Sequence, residues 1–225
     1  MEAVFHPIDM DSWVRAPYFD YYFNKLKTKY NISINIDITS LLNRKEVCGY
    51  KFFPSFLYVI MRAVNQNEEF RMSFDSKGQL GYWNFTQPSY TIFHEESKTF
   101  SDIWSEYTED FDTFHYNVIN DIAKYKDIKE IKGKPNQPQN FCPVSSLPWL
   151  TFTSVSQDTY GDTTLLFPLI RFGKYFEQNG KTLIPLSISV NHAVADGYHS
   201  SKLLNEIQEW ANNCEIWMEP KSKRG

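Results

Sequence analysis

Cysteine is scarce in this sequence of 225 residues, and an excess of basic residues is lacking. The three cysteines, Cys48, Cys142 and Cys214, are odd in number and lack close spacing, so neither a disulfide framework nor a zinc site is expected. The net charge of -4 argues against nucleic acid as the main partner, because phosphate binding needs a basic face. No run approaches the ~18 apolar residues of a membrane span, and the first residues do not resemble a secretory signal. We therefore expect a protein of the cytoplasm.

Apolar residues, by contrast, are abundant at 42%, enough for a large core and too many for a disordered chain. The aromatic content of 17% fits a bulky core or an aromatic-lined pocket, and a core accounts for most of the rings. The length favours one domain, which we place at residues 1–214. Residues 215–225 are expected to be a polar tail, disordered or foreign to the natural protein, with a short basic cluster from Lys221 to Arg224.

Apolar spacing and turn residues divide the chain into helices and strands without a regular βαβ rhythm. A long amphipathic helix is predicted over 101–126, with a break possible near Asp110. The fold class is therefore α+β or α/β with a mixed β-sheet. The other predicted helices are 13–29, 39–46 (capped by Thr39), 54–64 and 200–212, and the strands are 33–38, 70–74, 79–83, 90–94, 149–155, 165–172 and 183–190.

The segment from Leu186 to His199 carries the clearest chemistry. An alternating strand runs into a turn at His192, and Asp196 follows four residues later. A neutral imidazole can take the proton of an alcohol that attacks a thioester, because its ordinary pKa lies near neutrality. Asp196 can either hydrogen-bond this imidazole or pair with an arginine and lock the loop.

A metal site is the main alternative for this segment. His192, Asp196 and His199 would share one face of a continuous helix. The preceding strand and Gly197 argue against such a helix, so we expect no metal. His199 is then predicted at the start of the last helix, facing solvent or a subunit contact.

The same segment resembles the His-x-x-x-Asp-Gly signature of the chloramphenicol acetyltransferase family. The acyltransferase cores of 2-oxo acid dehydrogenase complexes share it more loosely. Further segments resemble the family in the same order, from Trp13 to Cys214. They include Trp13-Val14-Arg15, Tyr50-Lys51-Phe52-Phe53-Pro54, Phe70-Arg71-Met72, Ser145-Ser146-Leu147-Pro148-Trp149 and Gly173-Lys174-Tyr175. The resemblance implies an α+β fold, a two-layer α/β sandwich with a mixed β-sheet flanked by helices. It also implies a homotrimer with active sites at subunit interfaces.

The resemblance also implies an activity, the O-acetylation of chloramphenicol by acetyl-CoA, which inactivates the antibiotic. Transfer would be direct within a ternary complex. His192 falls on the family's general base, whose tautomer is held by contact with its own carbonyl oxygen. Asp196 falls on the structural aspartate and Arg15 on its ion-pair partner. Ser145 falls on the serine that donates to the oxyanion of the tetrahedral intermediate.

Substrate positions carry over in the same way. Tyr22 and Phe100 match positions that line the acceptor pocket. Coenzyme A is expected to pass a set of four residues, and lysines near its phosphates make electrostatic sense. These four are Lys51, Trp149, Lys174 and Tyr175. Acetyl-CoA is a co-substrate here, and no metal or prosthetic group is expected.

The sequence departs from the family at five positions. Asn191 replaces the first of two adjacent histidines, and Ala195 a frequent cysteine. Arg171 stands where a threonine that helps order a water near the oxyanion is typical. Ser89 and Pro143 replace Gln and Asn near the acceptor pocket. These changes leave open a different alcohol acceptor. A trimeric binder or scaffold without turnover is a further alternative, against which the four intact catalytic positions argue.

Overall fold

The chain folds into a mixed α and β structure, which a computed structural model describes for residues 2–157 and 164–220. Within those residues the strands are β1 (Phe5–Pro7), β2 (Lys29–Asp37), β3 (Met72–Phe74), β4 (Leu80–Trp83), β5 (Gln87–His94), β6 (Thr99–Trp104), β7 (Phe141–Leu147), β8 (Leu169–Gly173), β9 (Phe176–Gln178) and β10 (Lys181–Asn191). The α-helices are α1 (Ala16–Phe19), α2 (Thr39–Cys48), α3 (Phe52–Asn65), α4 (Phe111–Tyr125) and α5 (Gly197–Asn212). A π-helix covers Asp20–Lys25, and 3-10 turns cover Glu68–Arg71 and Cys214–Ile216.

The main sheet has the strand order β2-β10-β8-β7-β5-β6, with β9 paired to β10 beside it. β7 runs parallel to both β5 and β8, whereas the other pairs are antiparallel. A small sheet of β1, β4 and β3 lies apart. The predicted α+β fold with a mixed sheet is confirmed.

The two faces of the main sheet differ sharply because side chains alternate along each strand. On one face, Leu186, Ile188 and Val190 of β10 are buried. Helix α3 packs on this face, where Phe56 meets Phe172 of β8 edge-on at 5.1 Å. The opposite face carries the polar residues of β10 and its neighbours, among them Ser187, paired in register with Arg171.

The long helix predicted over 101–126 is wrong in its first part. Residues 99–104 form β6, and Ser101 and Ile103 are buried where β6 pairs with β5. α4 begins only at Phe111, because the Asp110 side chain accepts a hydrogen bond from the backbone N–H of Thr113 at 2.9 Å and caps the helix. The predicted break at Asp110 is thus the helix start.

The predicted helix over 13–29 is also shorter than expected. α1 starts at Ala16 with Pro17 in its first turn, and the helical part ends with the π-helix at Lys25, so that β2 can begin at Lys29. The capping role given to Thr39 is wrong as well. Its backbone N–H and hydroxyl both donate to Asp37 Oδ1, so the carboxylate at the start of α2 comes from Asp37.

Residues 149–155 do not form the predicted strand. They cross the end of β8, where Lys174 donates its backbone N–H to the Leu150 carbonyl at 2.8 Å. Only glycine fits at Gly173, because a Cβ there would lie 2.9 Å from the Leu150 carbonyl oxygen and from the Phe152 ring. This close approach replaces strand pairing.

The packed part of the chain extends beyond the predicted boundary at residue 214. Met218 is fully buried, and its carbonyl accepts a hydrogen bond from Arg44 Nε at 2.7 Å. The Trp217 ring packs on Tyr58 at 5.0 Å. The basic cluster from Lys221 to Arg224 lies outside the described residues. Among the helices of the described ranges, none has the length and apolar character needed to cross a bilayer.

Candidate active site

His192 lies in the turn that follows β10, and aromatic rings hold its side chain. Its backbone N–H donates to the Thr28 carbonyl at 3.0 Å. Tyr22 stacks on the imidazole face to face, with ring centroids 3.8 Å apart and planes 6° from parallel. Tyr30 meets the ring edge-on at 5.2 Å. The imidazole is therefore fixed in orientation on two sides.

One ring nitrogen of His192 is withdrawn from solvent. Nδ1 is buried and has no hydrogen-bond partner in the described part of the chain. The contact of Nδ1 with its own carbonyl oxygen, expected from the family, therefore stays a prediction. The burial of Nδ1 leaves Nε2 as the nitrogen that can meet a substrate.

The π-helix accounts for the position of Tyr22. The backbone N–H of Leu26 donates to the Tyr21 carbonyl, five residues earlier, at 2.8 Å. Such wide turns are rare and are frequent at functional sites. Tyr22 was expected to line the acceptor pocket, and the structure places it directly on the candidate base.

Tyr30 is a residue that the sequence did not single out. Its hydroxyl shares a hydrogen bond with Ser200 Oγ at 2.7 Å, which ties β2 to the first turn of α5. Burial raises the pKa of Tyr30. The strand pattern indicates that Tyr30 lies on the same face as Ile32, but contact with His192 depends on a turn far along the chain.

Asp196 and Arg15 form the predicted ion pair, with Nη1 and Oδ2 2.9 Å apart. Burial alone would raise the pKa of Asp196, but hydrogen bonds from Arg15 and His199 outweigh it and hold the pKa at about 2. Asp196 also caps α5 by accepting from the Tyr198 backbone N–H at 3.0 Å. Of the two roles left open for Asp196, the structure adopts the arginine pair.

The same contacts speak against the metal alternative. α5 begins at Gly197, so His192, Asp196 and His199 do not share a helix face. The described residues contain no group of three or more His, Cys, Asp or Glu side chains placed to hold a metal ion. His199 lies at the start of α5, as predicted. Of its two predicted surroundings, solvent or a subunit contact, the solvent-facing one is wrong, since its Nδ1 lies 2.8 Å from Asp196 Oδ1 and its Nε2 lies 3.5 Å from Glu69 Oε1.

Ser145 lies in β7, in one row with Arg171 of β8 and Ser187 of β10. At about 4.8 Å between strands and 3.3 Å per residue, Ser145 lies about 10 Å to the side of Ser187, and His192 about 16 Å further along β10. The Cα atoms of Ser145 and His192 are thus about 19 Å apart, which is more than the combined length of the two side chains. A single chain does not bring Ser145 and His192 together.

The other substrate candidates lie on the Ser145 side. Phe100 is exposed and pairs in register with Phe93, whose ring meets Trp149 edge-on at 4.7 Å. Tyr175 packs edge-on against Phe52, the first residue of α3, at 5.6 Å.

The two candidate lysines are close to these aromatic residues. Lys51 immediately precedes α3, next to Phe52. Lys174 bonds through its backbone to Leu150, the neighbour of Trp149. The four residues expected near coenzyme A therefore border one surface around the start of α3 and the end of β8.

The departures from the family have structural roles. The Asn191 side chain accepts from the Ala193 backbone N–H at 3.1 Å and so closes the His192 turn. Ala195 is fully buried. Arg171 is buried and bonds to Ser189 and Gln157, and burial lowers its pKa. The described residues provide no carboxylate partner for Arg171.

The remaining two departures are neighbours. Ser89 of β5 pairs in register with Pro143 of β7, two residues before Ser145. They lie on the face of the sheet that carries Ser145, because residues two apart on a strand share a face.

Comparison with known proteins gives consistent matches over nearly the whole chain. The family profile described as chloramphenicol acetyltransferase matches residues 3–208. A chloramphenicol acetyltransferase of Clostridium perfringens is 46% identical over 214 residues, covering 95% of this chain and 98% of that protein. One of Staphylococcus aureus is 37% identical over 214 residues, covering 95% and 99%.

Solved structures agree with the fold. A chloramphenicol acetyltransferase structure superposes with a TM-score of 0.82 at 23% identity, covering 92% of this chain and all of that one. The dihydrolipoamide acetyltransferase of Azotobacter vinelandii gives a TM-score of 0.63 at 17% identity, covering 85% and 84%. The profile match and the identity to these relatives establish that the chain belongs to the chloramphenicol acetyltransferase family.

Proposed function

We propose that this chain transfers the acetyl group of acetyl-CoA to a hydroxyl group of chloramphenicol. The observation that carries the proposal is His192, stacked on Tyr22 with its Nδ1 buried and its Nε2 left for a substrate. The curated relatives from Clostridium and Staphylococcus are named for this activity. The family membership favours chloramphenicol over another alcohol as acceptor.

The chemistry follows from the side chains present. His192 Nε2 takes the proton of the acceptor hydroxyl as its oxygen attacks the thioester carbonyl carbon. Ser145 donates a hydrogen bond to the oxyanion of the tetrahedral intermediate. The intermediate collapses by breaking the carbon–sulfur bond, and the sulfur leaves as a thiol with the proton held by His192. No acyl-enzyme is required, because the thioester is already activated.

The active site would be shared between copies of this chain in a homotrimer. Ser145 and His192 are about 19 Å apart within one chain, so each must meet its counterpart from another copy. Phe93, Phe100 and Trp149, which are exposed beside Ser145, fit a surface that a neighbouring subunit and the acceptor cover.

Coenzyme A would run along the surface between α3 and β8. Lys51 and Lys174 can meet its phosphates, while Tyr175 and Trp149 offer aromatic contacts. Residues 2–218 would act as one acyltransferase domain, because the last described residues pack on α2 through Arg44. Acetylation in the cytoplasm, where acetyl-CoA is made, would inactivate the antibiotic.

The test is free-thiol release from acetyl-CoA, followed with a thiol reagent in the presence and absence of chloramphenicol. We expect release that depends on chloramphenicol and disappears in His192→Ala. Release only with another alcohol from a small panel would keep the mechanism and replace the acceptor. No release with any alcohol, from a folded oligomer, would contradict the proposal and favour a binding or scaffold role.

A further inference from the structure

The first turn of α5 connects the His192 turn to two distant parts of the chain. Asp196 caps this turn and pairs with Arg15, which precedes α1. His199 lies in the same turn and reaches Glu69 in the 3-10 turn Glu68–Arg71, with Nε2 3.5 Å from Oε1. The side chain of His199 is 17% exposed, so it is held within the fold. The proposed chemistry gives His199 no role.

The Nδ1 atom of His199 contacts both the carboxylate and the backbone of Asp196. Nδ1 lies 2.8 Å from Asp196 Oδ1 and 3.3 Å from the Asp196 backbone nitrogen. An ionised carboxylate only accepts hydrogen bonds, so the shorter contact is a hydrogen bond from a protonated Nδ1 to Oδ1. In the other tautomer Nδ1 would instead accept from the Asp196 backbone N–H. Arg15 donates to the other oxygen, Oδ2, at 2.9 Å. Each carboxylate oxygen of Asp196 therefore has its own side-chain partner.

The link from Asp196 to His192 is short and buried. Ala193, Val194 and Ala195 lie between them, and all three are at most 1% exposed. Packed segments do not absorb small shifts, so a displacement of Asp196 is passed to His192. Glu69 lies on an element that Arg15 does not touch, and it supports His199 when both ring nitrogens carry a proton, because Nε2 must then donate toward Oε1 while Nδ1 donates to Asp196.

We propose that His199 is a positioning residue for acetyl transfer, which bridges Asp196 to Glu69 and thereby holds the His192 turn in register with its substrate. This inference rests on the proposed function. His199 touches neither the substrate nor His192, and it acts through Asp196.

The kinetic test measures kcat and both KM values by thiol release. His199→Ala is expected to lower kcat about 10- to 100-fold, with both KM values within about twofold of wild type. His199→Gln keeps a side-chain donor toward Asp196 and should bring kcat back to within about fivefold of wild type. Glu69→Gln should cost about threefold, because the Glu69 contact is long.

Two variants on the same helix serve as controls. Lys202→Met removes a cation that bonds to Asn67 at 2.8 Å and does not touch Asp196, so its kcat should stay at the wild-type value. Ile207→Val removes a buried methyl group from α5. It should lower Tm without altering the His192 turn. If Ile207→Val lost as much kcat as His199→Ala at the same drop in Tm, the role would be structural and the proposal overturned.

A double-mutant cycle tests whether His199 acts through Asp196. In an Asp196→Asn background, His199→Ala should cost no more than about a further twofold in kcat, because the contact is already altered. The full single-variant loss appearing again in that background would contradict a route through Asp196.

Nitrogen-15 NMR of labelled histidines gives a readout that does not need turnover. The chain has only five histidines, and the ring shifts report the tautomer of His192. We expect the His192 signals to change in His199→Ala and to stay unchanged in Lys202→Met. If the wild-type protein transfers no acetyl group, the proposed function is refuted. The NMR experiment would then still decide whether His199 positions the His192 ring. Unchanged kcat and unchanged His192 signals in a folded His199→Ala would overturn the inference. Should His199→Ala fail to fold, the same two results in Glu69→Gln would overturn it.

Discussion

The His192 side and the Ser145 side of the molecule are built differently. His192 is held by a stacked tyrosine, an edge-on tyrosine and a turn that an ion pair ties to Arg15. Ser145 lies in mid-strand, beside exposed aromatic side chains such as Phe100 and Trp149. One side is complete within a single chain, whereas the other leaves apolar surface uncovered.

This difference suggests how the site is divided. The base needs a fixed ring orientation, because proton transfer works only within hydrogen-bond reach. Its supports therefore come from the chain that carries it. Under the proposed function, the Ser145 side has to admit two substrates and a neighbouring subunit, and its exposed aromatic side chains fit that need. Substitutions on the two sides should consequently fail in different ways.

The largest effect is expected on the His192 side. His192→Ala removes the base and should lower kcat by about 10²–10⁴-fold. Its circular dichroism spectrum should match that of wild type, because the neighbouring tyrosines keep their other contacts. Turnover near the wild-type rate in the thiol-release assay would eliminate His192 as the base.

Ser145→Ala tests the role of the Ser145 side. Loss of one oxyanion donor should lower kcat about 10²–10³-fold while KM changes little. Steady-state kinetics with both substrates varied provide the measurement. An effect confined to KM would place Ser145 in ground-state binding instead.

Tyr22 tests whether the stacked ring or its hydroxyl supports the base. Tyr22→Phe keeps the ring on His192 and should retain kcat within about threefold, whereas Tyr22→Ala should lose about tenfold or more through misorientation. Equal losses in the two variants would shift the role to the hydroxyl.

The smallest effect concerns acid stability on the His192 side. The pKa of Asp196 in the folded protein, about 2, lies below its ordinary value of 3.8. Its contribution to stability is therefore fully present above pH 3.8 and is lost as the pH falls toward about 2.

Urea unfolding of wild type and Asp196→Asn between pH 6 and pH 2 measures this contribution. The difference in the free energy of unfolding should shrink below pH 4. The side chain of Asp196 is 37% exposed, which keeps the whole effect modest. A difference that stays constant down to pH 2 would show that Asp196 gains nothing from its partners.

Much of this arrangement could be predicted from the sequence where the signal is local. The alternation before Asn191 predicts the strand that ends at His192, and the apolar stretch after Pro54 predicts a buried helix. The mixed sheet and the pairing of Arg15 with Asp196 came from the resemblance, and the structure contains both.

Two kinds of contact were missed. Residues 101–104 fit the helical spacing of α4, but they pair with β5 across the short turn at 95–98 and form a strand. Tyr30 contacts His192, and His199 contacts Glu69. Each contact joins segments more than a hundred residues apart, so local sequence patterns do not predict it. The π-helix that contains Tyr22 likewise has no sequence signature that would predict it.

Mixing two inactive variants tests most directly whether the active site is shared between copies of the chain. His192→Ala and Ser145→Ala are unfolded together in equal amounts, refolded and assayed for thiol release. In a random homotrimer each mixed assembly contains one intact site, so we predict recovery of about a quarter of wild-type activity. The separately refolded variants should stay near their own low rates. Activity of the mixture no higher than the average of the two variants would contradict a site shared between copies.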